Sequence, residues 1–559
     1  MSGYYTEGPL SNWVEDRDMA LLEKYRVWIL DRKETYASPT PFDLWCLQHN
    51  YDNRGVQYGH EALAIPECRG YDCRIKDGWI YVAVMPTTPE EKVEREVLCA
   101  ERLAPWIEDF DREYHKYTDD LMERYLDFQA IDMEALEDYQ LQDAFDDWIE
   151  IYRRGGNWHF PIMLAFEKIY LLFEEMCLKE AGISVNDGLF NDLMAGFDHK
   201  MMEDDRGLFK LGVRARELGL EPLFYETKDS DELYLELERA ENGRTWLKEL
   251  GDHLWVYGWR VAENWDCSRP SWVEKPSLSF PSIRRFMGRP TFTPDDLRPS
   301  LIAKREAAEN EVLSRVREQK RPEFLRLMKA AQRSGPIDQD HVFYFEHYGN
   351  ALARKVTKEV AKRFVAQGII DDQDDLYYML PDEISFRILG RYPAHELVAI
   401  RRKQHAEFRA SEPEPPYIGD PTAIPWALAS SPLLRSTVAS FPRVRPELGA
   451  DVYATVSTPG IAEGVVCVLR GVEDFDKFPA GAVLVAAQAA TAWTPIFSIA
   501  KAVVVDIGGV LSHSAILGRE YGIPVLAGCE QATKKLKDGM RVRVDGDLGA
   551  VWILEDKAP

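Results

Sequence analysis

The chain has 559 residues, 45% of them hydrophobic, and a formal net charge of −26, which is enough length for three or four domains. The acid excess is uneven: residues 450–559 hold 10 basic and 13 acidic side chains, so residues 1–449 carry −23. A net negative surface repels phosphate backbones and no basic stripe or nucleic-acid motif interrupts it, so nucleic acid is excluded as an expected partner.

Met1–Trp13 has no basic start ahead of an apolar core, and no later stretch approaches the ~20 apolar residues of a membrane span. A cytoplasmic protein with no membrane partner is expected. The eight cysteines are scattered, and Cys68 and Cys73, spaced CxxxxC, lack the second pair that would complete a zinc site. They are expected to be reduced thiols, and no metal centre is expected.

Residues 30–90 predict a small β-containing part, in which Gly78–Val84 is a strand following the polar turn Lys76-Asp77. From Glu90 to about Glu180, apolar and aromatic residues recur at helical spacing among many acids, as in Trp106, Phe110, Tyr114 and Tyr117, then Leu121, Tyr125 and Phe128. The stretch His159–Ala181 is apolar nearly all round, which predicts a helix at the centre of a bundle. Further helices are expected in 187–255, 293–334 and 338–408, with the Pro-rich stretch Ser268–Pro299 as a long ordered loop. Ala410–Pro446, with Glu412-Pro413-Glu414-Pro415-Pro416, favours extended chain and is expected to be a tether. From 450 onward short β-rich runs alternate with glycines and helices. The expected class is multidomain α + α/β: a mainly helical region over 1–409 with its small β part near 30–90, a linker over 410–446, and a compact β/α domain over 447–559.

The chemistry concentrates in Gly508–Gly528, GGVLSHSAILGREYGIPVLAG, where His513 is the only histidine after His405. Ala502–Val505 reads as a buried strand, Gly508 and Gly509 break it, and Ser512–Tyr521 turns helically until Gly522-Ile523-Pro524 stops it. His513 is thereby placed in the first turn of a helix, where free amides and the helix dipole favour an anion. A phosphoryl group on a nucleophilic imidazole would be stabilised there. A capping or merely packed histidine is the alternative on local grounds.

Around this segment stand Thr458-Pro459-Gly460 with Gly464, Gly481–Val485, Thr491-Ala492-Trp493-Thr494-Pro495, Asp538-Gly539, and Val544-Asp545-Gly546 with Gly549. In that order and spacing, about 110 residues resemble the swivelling phosphohistidine domain of the phosphoenolpyruvate-utilising family. The resemblance implies that His513 is transiently phosphorylated, with Thr491, Gly508, Gly509, Ser512 and Arg519 forming its environment. For Thr491, Ser512 and Arg519, turn-making and capping are the plainer roles.

Several segments of the longer region resemble, more weakly, the helical module of rifampin phosphotransferases and phenylphosphate synthases. They are Tyr257–Arg260 followed by Trp265-Asp266 and Pro270-Ser271-Trp272, and Asp374–Met379 followed by Arg401-Arg402. No part of residues 1–400 reads as an ATP-grasp module of about two ordinary domains with Gly-rich phosphate loops. The residues beyond the motif are too few for a TIM barrel. A separate ATP-grasp-type subunit, using ATP with Mg²⁺ or Mn²⁺, is therefore expected to load His513. The resemblance to phenylphosphate and alkylphenol phosphate synthases implies transfer to a phenolic hydroxyl such as that of phenol or p-cresol, with AMP and phosphate as by-products. A rifampin-type phosphotransferase and a non-enzymatic phosphocarrier are the competing expectations.

Candidates for binding the acceptor or its phosphoryl group are Asp198, His199 and Asp205, which with Asp204 and Arg206 gather a base, carboxylates and a cation within about three helical turns. A solvated polar helix face is the plainer reading. Arg260, among Tyr257, Trp259 and Trp265, and Arg354, after Tyr344, His347 and Tyr348, are candidate phosphoryl clamps or structural arginines. His159, beside the apolar run Phe160–Phe166, reads as a satisfied core histidine.

Overall fold

The computed structural model describes residues 11, 15–31, 39–51, 55–185, 187–259, 266–288, 295–296, 298–411, 417–430, 445–489, 493–509, 512–529 and 531–555. The helices used below are Asp138–Ala181 (α1), Lys200–Glu217 (α2), Gly243–Tyr257 (α3), Phe280–Met287 (α4), Arg298–Arg315 (α5), Arg321–His341 (α6), Tyr348–Ala366 (α7) and His513–Tyr521 (α8). The chain divides into two compact units, the first built from Met1–Lys168, Glu263–Pro270 and His341–Arg435, the second from Ile169–Ala262, Ser271–Asp340 and Ser436–Pro559. Residues 169–262 and 271–340, expected within one region over 1–409, thus group by contact with the C-terminal domain.

The first unit holds an antiparallel sheet of Val27–Leu30 (β1), Cys68–Lys76 (β2), Trp79–Pro86 (β3) and Tyr417–Gly419 (β4), in the order β2-β3-β1-β4. Trp28, Leu30, Trp79, Tyr81 and Ala83 alternate onto one face and pack with Tyr25. Strand β4 falls inside the stretch expected to be a tether. It pairs with Val27, Trp28 and Ile29, and the helix Ile424–Ala429 follows it. The edge of β1 offers unpaired backbone groups that a three-residue strand satisfies, a signal too short to read beside prolines. The segment Glu412–Pro416 lies outside the described residues. Helix α1 runs unbroken for 44 residues through Pro161, and residues 159–167 are buried on every face, as an apolar-all-round sequence demands. A Cβ on Gly59 would come within 2.6 Å of Phe160 Cβ, so glycine there permits the helix Val56–Ala62 to lie against α1.

In the second unit, Leu208, Trp246, Leu250, Phe280 and Ile283 form a helical core. The expected loop Ser268–Pro299 contains α4, whose Phe280, Ile283, Phe286 and Met287 are buried at helical spacing. Pro281, in the first turn, has no amide to waste there. The flanking prolines conceal this short period in the sequence.

The C-terminal sheet is mixed. Its strands are Val452–Tyr453 (β5), Thr455–Thr458 (β6), Ile461–Val468 (β7), Val483–Ala486 (β8), Ala502–Val505 (β9), Val525–Ala527 (β10), Arg541–Asp545 (β11) and Ala550–Glu555 (β12). They run in the order β5-β12-β11-β7-β8-β9-β10-β6, with β7 to β10 parallel. Apolar clusters cover both faces, one with Leu484, Val503, Leu517 and Val525, the other with Val483, Val504, Val542 and Val551. The continuous runs AVLV and AVVV are what a doubly covered parallel sheet requires.

The last turn of α8 packs on the segment before α2. The Gly196 amide donates to both carboxylate oxygens of Glu520, at 3.2 and 3.1 Å. Gly196 takes φ +79 in a space where a Cβ would crowd Leu301 and Ile302, and Arg305 donates to the carbonyls of Ala195 and Gly196. Burial raises Glu520 from 4.5 to about 7, opposed by the Gly196 amide and by Arg519.

Two outcomes follow from this packing. Gly518→Ala would place a Cβ 2.3 Å from Val525 Cγ2 and 2.8 Å from Thr458 Oγ1; the expected loss is about 1–3 kcal/mol in urea unfolding, the range of overpacked cores. Glu520 in the folded protein keeps a proton that the unfolded chain has lost, so its contribution is complete below about pH 4.5 and disappears as pH rises through about 7. Glu520→Gln, which keeps the acceptor oxygen, should flatten this slope, worth up to about 3 kcal/mol, in melts taken from pH 4 to 8.

Candidate functional site

Strand β9 ends at Val505 and α8 begins at His513, with Gly508 and Gly509 between them. Gly508 takes φ +135, and a Cβ there would sit 3.0 Å from Ser512 Oγ; only glycine meets both conditions. Ser512, in extended conformation, is the N-cap residue. Its hydroxyl does not cap the helix but donates to the Gly509 carbonyl at 2.8 Å and lies 3.0 Å from Ser514 Oγ. An intrahelical bond runs from Ile516 N to Ser512 O, and the N–H groups of His513, Ser514 and Ala515 belong to the first turn, the positive end of the helix. His513 is partly buried, at the open end of this array. The arrangement suits an anion on the imidazole, with two hydroxyls and the positive helix end nearby.

Arg519 is six residues on, about 9 Å along the axis and 240° around it. It is buried and its charge acts on Tyr170, which burial pushes up to about 12 against that influence. Its charge also acts on Glu520, in the same turn of α8. Thr491 lies outside the described residues.

The Gly196–Gly207 candidates are gathered at the far end of α8. Asp198 accepts from Arg206 and Arg298, each at 2.9 Å, and Arg206 also grips Asp295 at 2.9 and 3.0 Å. Burial pushes Asp198 up, but its hydrogen bond from Arg206 and the charges of Arg206 and Arg298 hold it below the usual range. Asp204 accepts from His253 Nε2 at 2.8 Å, and Asp205 faces the Tyr521 hydroxyl at 3.4 Å. Asp204 and Asp205 are 1% and 3% exposed. This corrects the plainer reading of a solvated face for Asp204 and Asp205, whose carboxylates are internal, while Asp198 is partly buried.

His199, the N-cap residue of α2, is 4% exposed. Burial lowers it to about 4, and among the described residues neither ring nitrogen has a hydrogen-bond partner. It is a neutral imidazole at ordinary pH.

Arg354 belongs to the first unit. Its Nη1 donates to the Ser268 carbonyl at 2.8 Å and the Tyr377 hydroxyl at 2.9 Å. Arg260 lies outside the described residues. The same unit has an open cleft of about 1020 Å³, lined among others by Tyr58, Arg124, Phe128, Arg153, Arg154 and Trp158. It mixes aromatic walls with cations and is ample for a small aromatic molecule.

Sequence reasoning passed over Glu520, Tyr521 and Ser514. One signal was available: an acid in the last turn of a helix opposes the dipole, so Glu520 required a tertiary partner. No such signal exists for His253, whose ring fills the space above Gly207.

Residues 478–549 match the model of the PEP-utilising enzyme mobile domain, and residues 158–336 that of the rifampicin phosphotransferase fourth domain. The uncharacterized phosphotransferase YvkC of Bacillus subtilis is 30% identical over 75% of this chain and 49% of its own length. The rifampicin phosphotransferase of Bacillus subtilis is 27% identical over 57% of this chain and 36% of its own. Phosphoenolpyruvate synthase of Aeropyrum pernix is 44% identical over 108 residues, 19% of this chain and 13% of that one. The chain spans about half or less of these relatives' lengths. In its matched segments the chain combines the mobile domain of the PEP-utilising enzymes, which holds His513, with the fourth domain of the rifampicin phosphotransferases.

Proposed function

We propose that this protein is a phosphotransferase that carries a phosphoryl group on His513 and delivers it to a hydroxyl of a small molecule. The observation that carries the reading is His513 at the open first turn of α8, within a segment matching a mobile domain. A neutral imidazole nitrogen attacks the β-phosphorus of ATP, held with Mg²⁺ or Mn²⁺ on a separate ATP-grasp-type polypeptide; the N–P bond forms as AMP leaves, and water then releases the γ-phosphoryl as phosphate, leaving one phosphoryl on the nitrogen. At the acceptor the hydroxyl oxygen attacks phosphorus, the N–P bond breaks, and the hydroxyl proton passes to a base. The first-turn amides of α8 and the Ser512 and Ser514 hydroxyls would hold the phosphoryl oxygens between the two steps.

The acceptor in this proposal is a phenol such as phenol or p-cresol. The resemblance of Tyr257–Arg260 and Asp374–Met379 to phenylphosphate synthases supports it. A rifamycin-type acceptor is the second reading, favoured by the match of residues 158–336.

The test is labelling with [β-³²P]ATP, with this chain alone and with a candidate ATP-grasp polypeptide encoded nearby. The expected product is an acid-labile, alkali-stable label on this chain, formed only with the partner and reduced at least about a thousandfold in His513→Asn. Label that survives the substitution overturns the role of His513; label formed by this chain alone overturns only the separate loading subunit. Discharge by p-cresol supports the phenolic acceptor, and discharge by rifampicin alone replaces it with the second reading. Ser512→Ala, which removes one hydroxyl beside the imidazole, should slow labelling about tenfold, the worth of one charge-assisted hydrogen bond, while leaving the melting temperature within about 2 °C, as expected for a partly exposed hydroxyl.

A further inference from the structure

Three buried side chains of the first unit, unused by the proposed reaction, converge: His159 in α1, His341 at the end of α6 and Glu346 in the π-helical segment Val342–His347. They are 6%, 2% and 6% exposed. Nε2 of His159 and Nε2 of His341 each lie 3.8 Å from Oε1 of Glu346. One ligand-capable atom from each residue lies within 4.8 Å of the others. The two imidazoles stack at 4.9 Å with 24° between their planes, and Phe345 stacks on His159 at 5.7 Å.

The backbone explains how His341 and Glu346 meet. Residues five apart in an α-helix point about 140° away from one another, because each step turns about 100°. A π-turn, closed by i→i+5 bonds, brings such residues nearly into line, and π-turns concentrate at functional sites. The segment Val342–His347 takes that form at this position.

We propose that His159, His341 and Glu346 bind one divalent transition-metal ion of the Zn²⁺ class. A separation of 3.8 Å is beyond hydrogen-bond range. It is close to the ~3.4 Å that separates ligand atoms around a tetrahedral ion with ~2.1 Å bonds. Two imidazoles and one carboxylate are a borderline N₂O set that selects zinc and its neighbours over Mg²⁺ or Ca²⁺, which prefer all-oxygen shells. A cation also offsets the cost of an ionised carboxylate at this depth. Three protein ligands leave a fourth position for water or another small ligand. Because the imidazoles are stacked, one ring turns about χ2, a soft torsion, to bring its nitrogen onto the ion.

The test uses the full chain, stripped with EDTA and titrated with Zn²⁺ against a chromophoric chelator and with Co²⁺ in the visible. One equivalent should bind with micromolar or tighter affinity. The Co²⁺ spectrum should show d–d bands of nitrogen and oxygen ligation without a thiolate charge-transfer band. Glu346→Gln and His341→Gln should each weaken binding at least about a hundredfold. The near-isosteric Glu346→Gln should keep the circular dichroism of the metal-free chain. No binding by the wild type up to 1 mM metal would overturn the site. So would a thiolate band, which would move the ion to one of the eight buried cysteines, or undiminished affinity in a folded Glu346→Gln variant.

Discussion

Helix α8 crosses the strands with no side chain between them at Gly518, and the position of His513 depends on that approach. The segment β9, α8, β10 is a parallel crossover unit, whose geometry sends the chain from the end of one strand into the helix that covers the next. Thr458 on β6 donates to the Ala515 carbonyl at 3.1 Å, fixing the first turn from the side. With the helix held at its middle and its start, the imidazole emerges beyond the C-terminal ends of the parallel strands, where open α/β sheets bind ligands. The glycine turn at 508 sets the entry angle, and the apolar strands supply the rigidity.

The chain is strongly acidic, yet the carboxylates where α2 and α8 come together are answered locally. Asp198 has two guanidinium partners, Asp204 an imidazole, Asp205 a phenol, and Glu520 a backbone amide. Such pairs add little net stability over apolar packing, but breaking one leaves a costly orphan. Their value is orientation, because hydrogen bonds fix where α2 and the last turn of α8 meet, while apolar contacts permit sliding.

How much of this was legible depends on the range of the interaction. The strand at 502–505, the turn at 508–509 and the helix ending at Gly522 are set by neighbours in sequence, and the reading of GGVLSHSAILGREYGIP places each of them. The candidates Asp198, His199 and Asp205 were found as a cluster, but the burial of His199 and Asp205 was not, since the Tyr521 hydroxyl that faces Asp205 is far along the chain. Helix α4 was lost among prolines, and β4 is too short to have a period. His159 looked like a core residue because its near neighbours are apolar; His341 is 182 positions away, and nothing local announces a π-turn.

That turn makes the chain count residues. A π-helical segment is an α-helical turn with one residue more than it needs, so the spacing across 342–347 is a matter of number before it is one of chemistry. Removing one residue would restore regular helix and rotate every later position of α7 by about 100° relative to His341. Val356, Val360 and Phe364, buried in α7, would leave the face they now share. The segment can exchange side chains one at a time, but its length is locked to the packing of the nineteen residues that follow.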